Sequence, residues 1–176
     1  MKYVIDLDDT LIESTQLNND AYNYALLHYG FNEIESDSRI TRKCLGFIDK
    51  KTLKKVVRLK QKYFTRKWLP FRLQTNKLLI DKIEKNGKSN CVLWTKADSK
   101  CVNAVLRYCG FEKYFYKIII EPKNNFTESI NILTNNIGTK NFIIYENDYS
   151  FFNDKNVNIV DEIKTETFVV KGYMVK

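Results

Sequence analysis

Four short apolar runs, each ending in a residue that can do chemistry, constrain this chain most. Val4-Ile5 runs into Asp6, Val92-Leu93-Trp94 into Thr95, Ile118-Ile119-Ile120 into Glu121-Pro122-Lys123, and Ile143-Ile144-Tyr145 into Glu146-Asn147-Asp148. Runs this short and this apolar read as strands covered on both faces. Helical patterns lie between them. Residues 98–109 start at Asp98 or Ser99 and stop at Gly110, and residues 127–135 form a second such stretch. Strands joined through helices of that length pair in parallel, because a parallel pair needs a crossover. Handed crossovers then predict a three-layer α/β core.

Residues 2–6, 91–94, 116–120, 142–145 and 157–160 are the expected strands, with a short final one at 168–170. The first half has a different rhythm. Residues 14–29 suit a helix stopped by Gly30. Residues 51–68 place Leu53, Val56, Val57, Leu59, Tyr63 and Phe64 on one face with Lys and Arg opposite, and Leu69-Pro70 breaks the pattern. Residues 74–85 form a helix ending at Asn86-Gly87. The stretch of about 55 residues before Pro70 carries no strand signal and is longer than one crossover needs. It is expected to be a small helical cap of residues 14–69 inserted into a core of residues 1–13 and 70–176.

With 176 residues, 44% of them apolar and only 6 Gly and 2 Pro, the chain suits one core plus an insertion, without a long disordered linker. No signal peptide and no run of some 18 apolar residues is present, so a soluble cytoplasmic protein with no membrane partner is expected. Four cysteines without a CxxC pair, and one histidine, argue against a zinc site. Cys91, Cys101 and Cys109 read as buried free thiols, and His28 as a surface or helix-packing residue.

In open parallel sheets ligands bind beyond the carboxyl ends of the strands. There the first run supplies Asp6, Asp8 and Asp9, three carboxylates in four positions. Like charges this close need a cation, hydrogen bonds or separate roles. The other strand ends add a hydroxyl, an ammonium and a second acidic group. These are the parts of phosphoryl transfer: a carboxylate nucleophile, a carboxylate for proton traffic, donors for phosphoryl oxygens and a hard cation such as Mg²⁺ on oxygen ligands.

The order apolar-Asp6-Leu7-Asp8-Asp9-Thr10-Leu11, then Thr95, then Lys123, then an acidic strand end, resembles the haloacid dehalogenase-like (HAD) superfamily from Tyr3 to about Asp154. The helical insertion resembles the cap of its phosphoglycolate phosphatase and β-phosphoglucomutase subgroup. The resemblance implies a Rossmann-like parallel sheet and a Mg²⁺-dependent phosphatase acting on a small phosphorylated metabolite. It implies Asp6 as nucleophile and Asp8 as general acid and base, with Thr95 and Lys123 holding the phosphoryl group. Thr10 would order the turn and contact the substrate site. Asp9 stands where relatives often have Gly. Mg²⁺ would be held by Asp6, the Asp8 main-chain carbonyl and the Glu146-Asn147-Asp148 segment. Two departures stand out. Relatives commonly have Lys followed by Pro, whereas Pro122 precedes Lys123, which makes Lys96 and Lys100 rival lysines. Asn147 falls at the usual metal-binding Asp, and a shift by one would use Asp148.

Charge is unevenly spread. Residues 39–88 carry 17 Lys/Arg against 3 acids, and the rest carries 12 against 18. The bland reading is a solvated helix face. The functional ones are a cap that steers an anionic substrate, with Arg42, Lys43 and Lys96 as substrate contacts, or a surface for nucleic acid. A catalytically weak module or a polynucleotide-end phosphatase using the basic cap is the alternative function.

Overall fold

The computed structural model describes residues 1–66, 72–123, 125–152 and 157–175. The expected break at Leu69-Pro70, the cap–core boundary there, the aromatic residues Trp68 and Phe71, and Asp154 lie outside the described residues.

The chain forms two compact units. One comprises Met1–Glu13, Thr75–Ala97 and Phe111–Lys176, and the other Ser14–Gln74 and Asp98–Gly110. In the first, β1 (Lys2–Ile5), β4 (Cys91–Thr95), β5 (Lys117–Ile120) and β6 (Phe142–Glu146) pair in parallel. Two further strands, β7 (Asn158–Lys164) and β8 (Val169–Val175), extend the sheet as an antiparallel hairpin, giving the order β5-β4-β1-β6-β8-β7. The sheet is therefore mixed and mostly parallel, with β1 central. Helix α3 (Lys77–Asn86) lies on one face, where Cys91 Sγ approaches the Ile83 carbonyl at 3.8 Å. Helix α5 (Phe126–Ile137) covers the other, its Leu133 sharing a core with Val4, Val92, Trp94, Phe142, Ile144 and Tyr173. Two helical layers around one sheet make the three-layer α/β core.

Four sequence expectations change, among them the basic helix, which ends at Phe64 rather than at 68, and β7, which runs Asn158–Lys164 rather than 157–160. Gln74–Thr75 (β3) is not the first turn of a helix; it forms a two-stranded ribbon with Ile12–Glu13 (β2). The helix begins only at Lys77, because Asn76 caps it by accepting the Leu79 N–H. The last strand is seven residues long rather than three. Gly172 and Lys171 interrupt its apolar pattern, so only pairing on both sides reveals its length.

The second unit packs α1 (Thr15–His28) and α2 (Lys50–Phe64) around Tyr22, Ala25, Leu26, Ile40, Leu45, Ile48 and Val56. It also includes α4 (Ser99–Cys109), capped by Asp98 and stopped by Gly110 at φ +70°. Buried Asn18 and Asn19 peg the irregular segment that follows α1. Asn18 donates to the Ile40 carbonyl at 2.9 Å, and Asn19 accepts the Ile40 N–H at 2.8 Å while donating to Ser38 at 2.9 Å. Cys91 and Cys101 are buried, Cys109 is half-buried, and His28 is exposed. No described helix is long and apolar enough to cross a membrane.

Candidate active site

The site grows from the end of β1. Ile5 pairs with Leu93 on β4 and with Tyr145 on β6, and the Asp6 N–H donates to the Tyr145 carbonyl at 3.0 Å. One residue further along the same register, Asp6 lies between Trp94 and Glu146, on the face covered by α5. Side chains alternate along a strand, so the parity that buries Val4 also brings these three groups together.

Beyond Asp6 the chain turns sharply. The Leu7 carbonyl accepts the N–H groups of Leu11 at 3.0 Å and Ile12 at 3.1 Å, and the Asp9 N–H donates to the Ile12 carbonyl at 2.7 Å. Asp9 takes φ +58°, in the left-handed region where Asp is better tolerated than most residues. That backbone requirement explains why a position often held by Gly can carry Asp. Asp8 is half-buried, and Thr10 is fully buried. The Thr10 hydroxyl donates to Asn147 Oδ1 at 3.0 Å, and the Asn147 N–H donates back to it at 3.1 Å.

Lys123 occupies the centre. Its ammonium donates to Asp6 Oδ1 and, at 2.7 Å, to Glu146 Oε2, and it lies 4.4 Å from the Trp94 ring centroid. The side chain is 6% exposed. Glu146 uses its other oxygen to accept the N–H groups of Asn147 and Asp148, both at 3.1 Å. Two buried carboxylates thus share one ammonium. Burial, the neighbouring Glu146 and Asp8 push the Asp6 carboxyl up to about 7, against the opposing pull of Lys123. Burial alone would lower the Lys123 ammonium; Asp6 and Glu146 together outweigh it and hold the ammonium above its ordinary value.

Thr95 closes β4, is buried, and accepts the Ala97 N–H at 3.1 Å. Lys96 is exposed, and Lys100 belongs to the helical unit, so Lys123 is the lysine found at Asp6. Asn147 is half-buried and Asp148 exposed, its Oδ1 accepting from Ser150. In the helical unit, Arg42 and Lys43 are exposed on a 3-10 turn, Arg42–Leu45, capped by Thr41. Trp94 was legible only as a strand residue. The missed signal was its place immediately before Thr95, which gives it the parity of Asp6.

The donors around β1 and β6 are all oxygens: the second Asp6 carboxylate oxygen, the Asp8 carbonyl, Asn147 Oδ1 and Asp148. That chemistry suits a hard divalent cation. Glu146 is committed instead to Lys123 and two main-chain N–H groups. Among the described residues, no three His, Cys, Asp or Glu side chains are gathered as a metal cluster, so main-chain and amide oxygens would complete the ligand set.

No protein-family model and no curated protein matches the sequence. The fold does match solved structures. CbbY from Rhodobacter sphaeroides in complex with phosphate superposes with a TM-score of 0.65 at 16% identity, covering 81% of this chain and 76% of that one. A HAD hydrolase of family IA, variant 3, from Entamoeba histolytica gives 0.64 at 18% identity, covering 79% and 71%. A predicted phosphoglycolate phosphatase from Haemophilus somnus gives 0.63 at 15% identity, covering 79% and 72%. The chain shares the fold of HAD-like hydrolases.

Proposed function

We propose that this chain is a Mg²⁺-dependent phosphatase acting on a small phosphorylated metabolite. The observation that carries the reading is the Lys123 ammonium held between Asp6 and Glu146 at the end of the central strand. The shared fold supports it, and CbbY, one of the similar structures, was solved with phosphate bound.

In this reading Asp6 attacks phosphorus and takes the phosphoryl group onto its carboxylate as the leaving oxygen departs. Asp8 protonates that oxygen, then removes a proton from the water that hydrolyses the aspartyl-phosphate. Lys123 and Thr95 donate to the phosphoryl oxygens, where charge builds up. Thr10 keeps the turn after Asp6 in register with β6. Asp6, the Asp8 carbonyl and Asn147, with Asp148 as the alternative side-chain ligand, would hold Mg²⁺, which would supply charge neutralisation. Arg42, Lys43 and Lys96 are the candidate contacts for the organic part of the substrate.

The test is phosphate release from p-nitrophenyl phosphate and a panel of sugar phosphates, with and without Mg²⁺. Wild type should turn over at least one substrate only with Mg²⁺, and Asp6→Asn should fall below detection. Absence of turnover across the panel, together with no binding of orthovanadate, would refute the phosphatase reading.

A further inference from the structure

The solvent face of α2 is a row of cations with no acid on the helix. Its 15 residues hold seven Lys or Arg and no Asp or Glu. At 100° per residue, Lys51, Lys54, Lys55, Arg58 and Lys62 fall within an arc of about 100°, along about 16 Å of helix. All five are exposed. The opposite side packs into the unit through Leu53, Val56 and Val57. Lys60 points to that apolar side and is absorbed there, 5.2 Å from the Tyr22 ring centroid and 4.4 Å from that of Phe64.

Folding does not ask for this row. Lys51 with Lys55, Lys54 with Arg58, and Arg58 with Lys62 are like-charge pairs one turn apart, a spacing that destabilises a helix. Among the described residues, none of the five forms an ion pair with an acidic side chain. Along the axis they follow one another at about 4.5, 1.5, 4.5 and 6 Å, a dense line of positive charge complementary to the closely spaced phosphates of nucleic acid. Among the described residues, the aromatic side chains nearby offer no stacking platform. Phe64 and Tyr22 are buried, and the Tyr24 and Tyr63 rings are covered by Arg66, 5.1 and 4.9 Å from their centroids.

We propose that the Lys51/Lys54/Lys55/Arg58/Lys62 face of α2 binds the phosphodiester backbone of nucleic acid without reading bases. The contact is independent of hydrolysis at Asp6, so it stands or falls separately from the phosphatase reading.

The test is binding of a fluorescent 20-base-pair DNA duplex and its single strand across a salt series. Five contacts predict a slope of log K against log[salt] of about −4.5 for the duplex, and a shallower one for the single strand. The informative variant is Lys55→Glu/Arg58→Glu, which turns all three repulsive pairs into attractive ones and so protects the fold. It should weaken duplex binding at least about tenfold and flatten the slope by about 2. A control, Lys88→Glu/Lys140→Glu, makes the same change in net charge at exposed positions of the sheet unit. It should leave binding within about twofold of wild type. Equal weakening by both variants would mean net charge, not this face, and would overturn the proposal. So would no salt-dependent binding, or binding to vesicles of 30% phosphatidylserine but not to the duplex.

Discussion

Thr10 and Asn147 hold each other reciprocally, each donating one hydrogen bond to the other across 137 positions of sequence. The pair ties the turn after the first strand to the end of the fourth parallel one. It also orients the Asn147 amide, so that its carbonyl oxygen faces Thr10 and its nitrogen faces away.

Thr10→Val keeps the shape and removes the hydroxyl. Asn147 Oδ1 then loses its donor and the Asn147 N–H keeps only Glu146 Oε1, in a half-buried place, and the variant should lose about 1–3 kcal/mol of stability, read by denaturant titration. Thr10→Ser should recover most of it.

Lys123→Met leaves Asp6 and Glu146 buried without their shared cation. At pH 7.5 it should destabilise the fold by about 3 kcal/mol. The sign of the pH dependence follows from Asp6, already pushed up to about 7 with Lys123 present. Without the ammonium its carboxyl rises further, so the native variant binds a proton as pH falls. The gap between variant and wild type should therefore shrink between pH 8 and pH 5, as measured by thermal melts.

Asp161 accepts from the Tyr145 hydroxyl at 2.7 Å and pairs with Lys82. Burial works to raise its pKa, but these two partners outweigh burial and hold it below the ordinary 3.8. A depressed carboxyl stabilises above its unfolded value and loses that contribution as pH falls through the folded one. Asp161→Asn should melt lower than wild type at pH 7, and the two curves should converge as pH falls below 3.8. A gap that persists in acid would sink this assignment.

Gly172 lies on β8 opposite Tyr145 and Asp161. A Cβ there would meet Asp161 Cβ at 3.1 Å, Tyr145 Cε1 at 3.2 Å and Ile143 Cγ2 at 3.3 Å. Gly172→Ala should destabilise by about 1–3 kcal/mol through overpacking, despite the intrinsic preference of strands for Ala over Gly. An unchanged melting temperature would show that these neighbours can give way.

The sheet core was legible because its strands announce themselves. Each parallel strand is a short apolar run, and each runs into polar residues, so the order Asp6, Thr95, Lys123, Glu146 could be read in advance. Capping residues did the same for helices: Asp98 and Gly110 mark α4 from sequence alone, since their preferences are set by local backbone geometry. The β7–β8 hairpin was harder to read, because its strands are defined by pairing that a broken apolar pattern conceals. Gln74 and Thr75 looked helical for the converse reason: local propensity favoured a helix, and pairing with β2 decided otherwise.

By itself, then, the sequence determined which residues stand at strand ends, because hydrophobic runs and turn chemistry are local. Only the tertiary structure decided which of them touch. Lys123 reaches Asp6 across 117 positions and Glu146 across 23 because β5 and β6 lie on opposite sides of β1 in one sheet, and parallel register turns that separation into contact. Trp94 joins them through the same register. The physical reason is that a buried ammonium needs converging counter-charges, and the two that meet Lys123 stand at the ends of separate strands that only the sheet brings together.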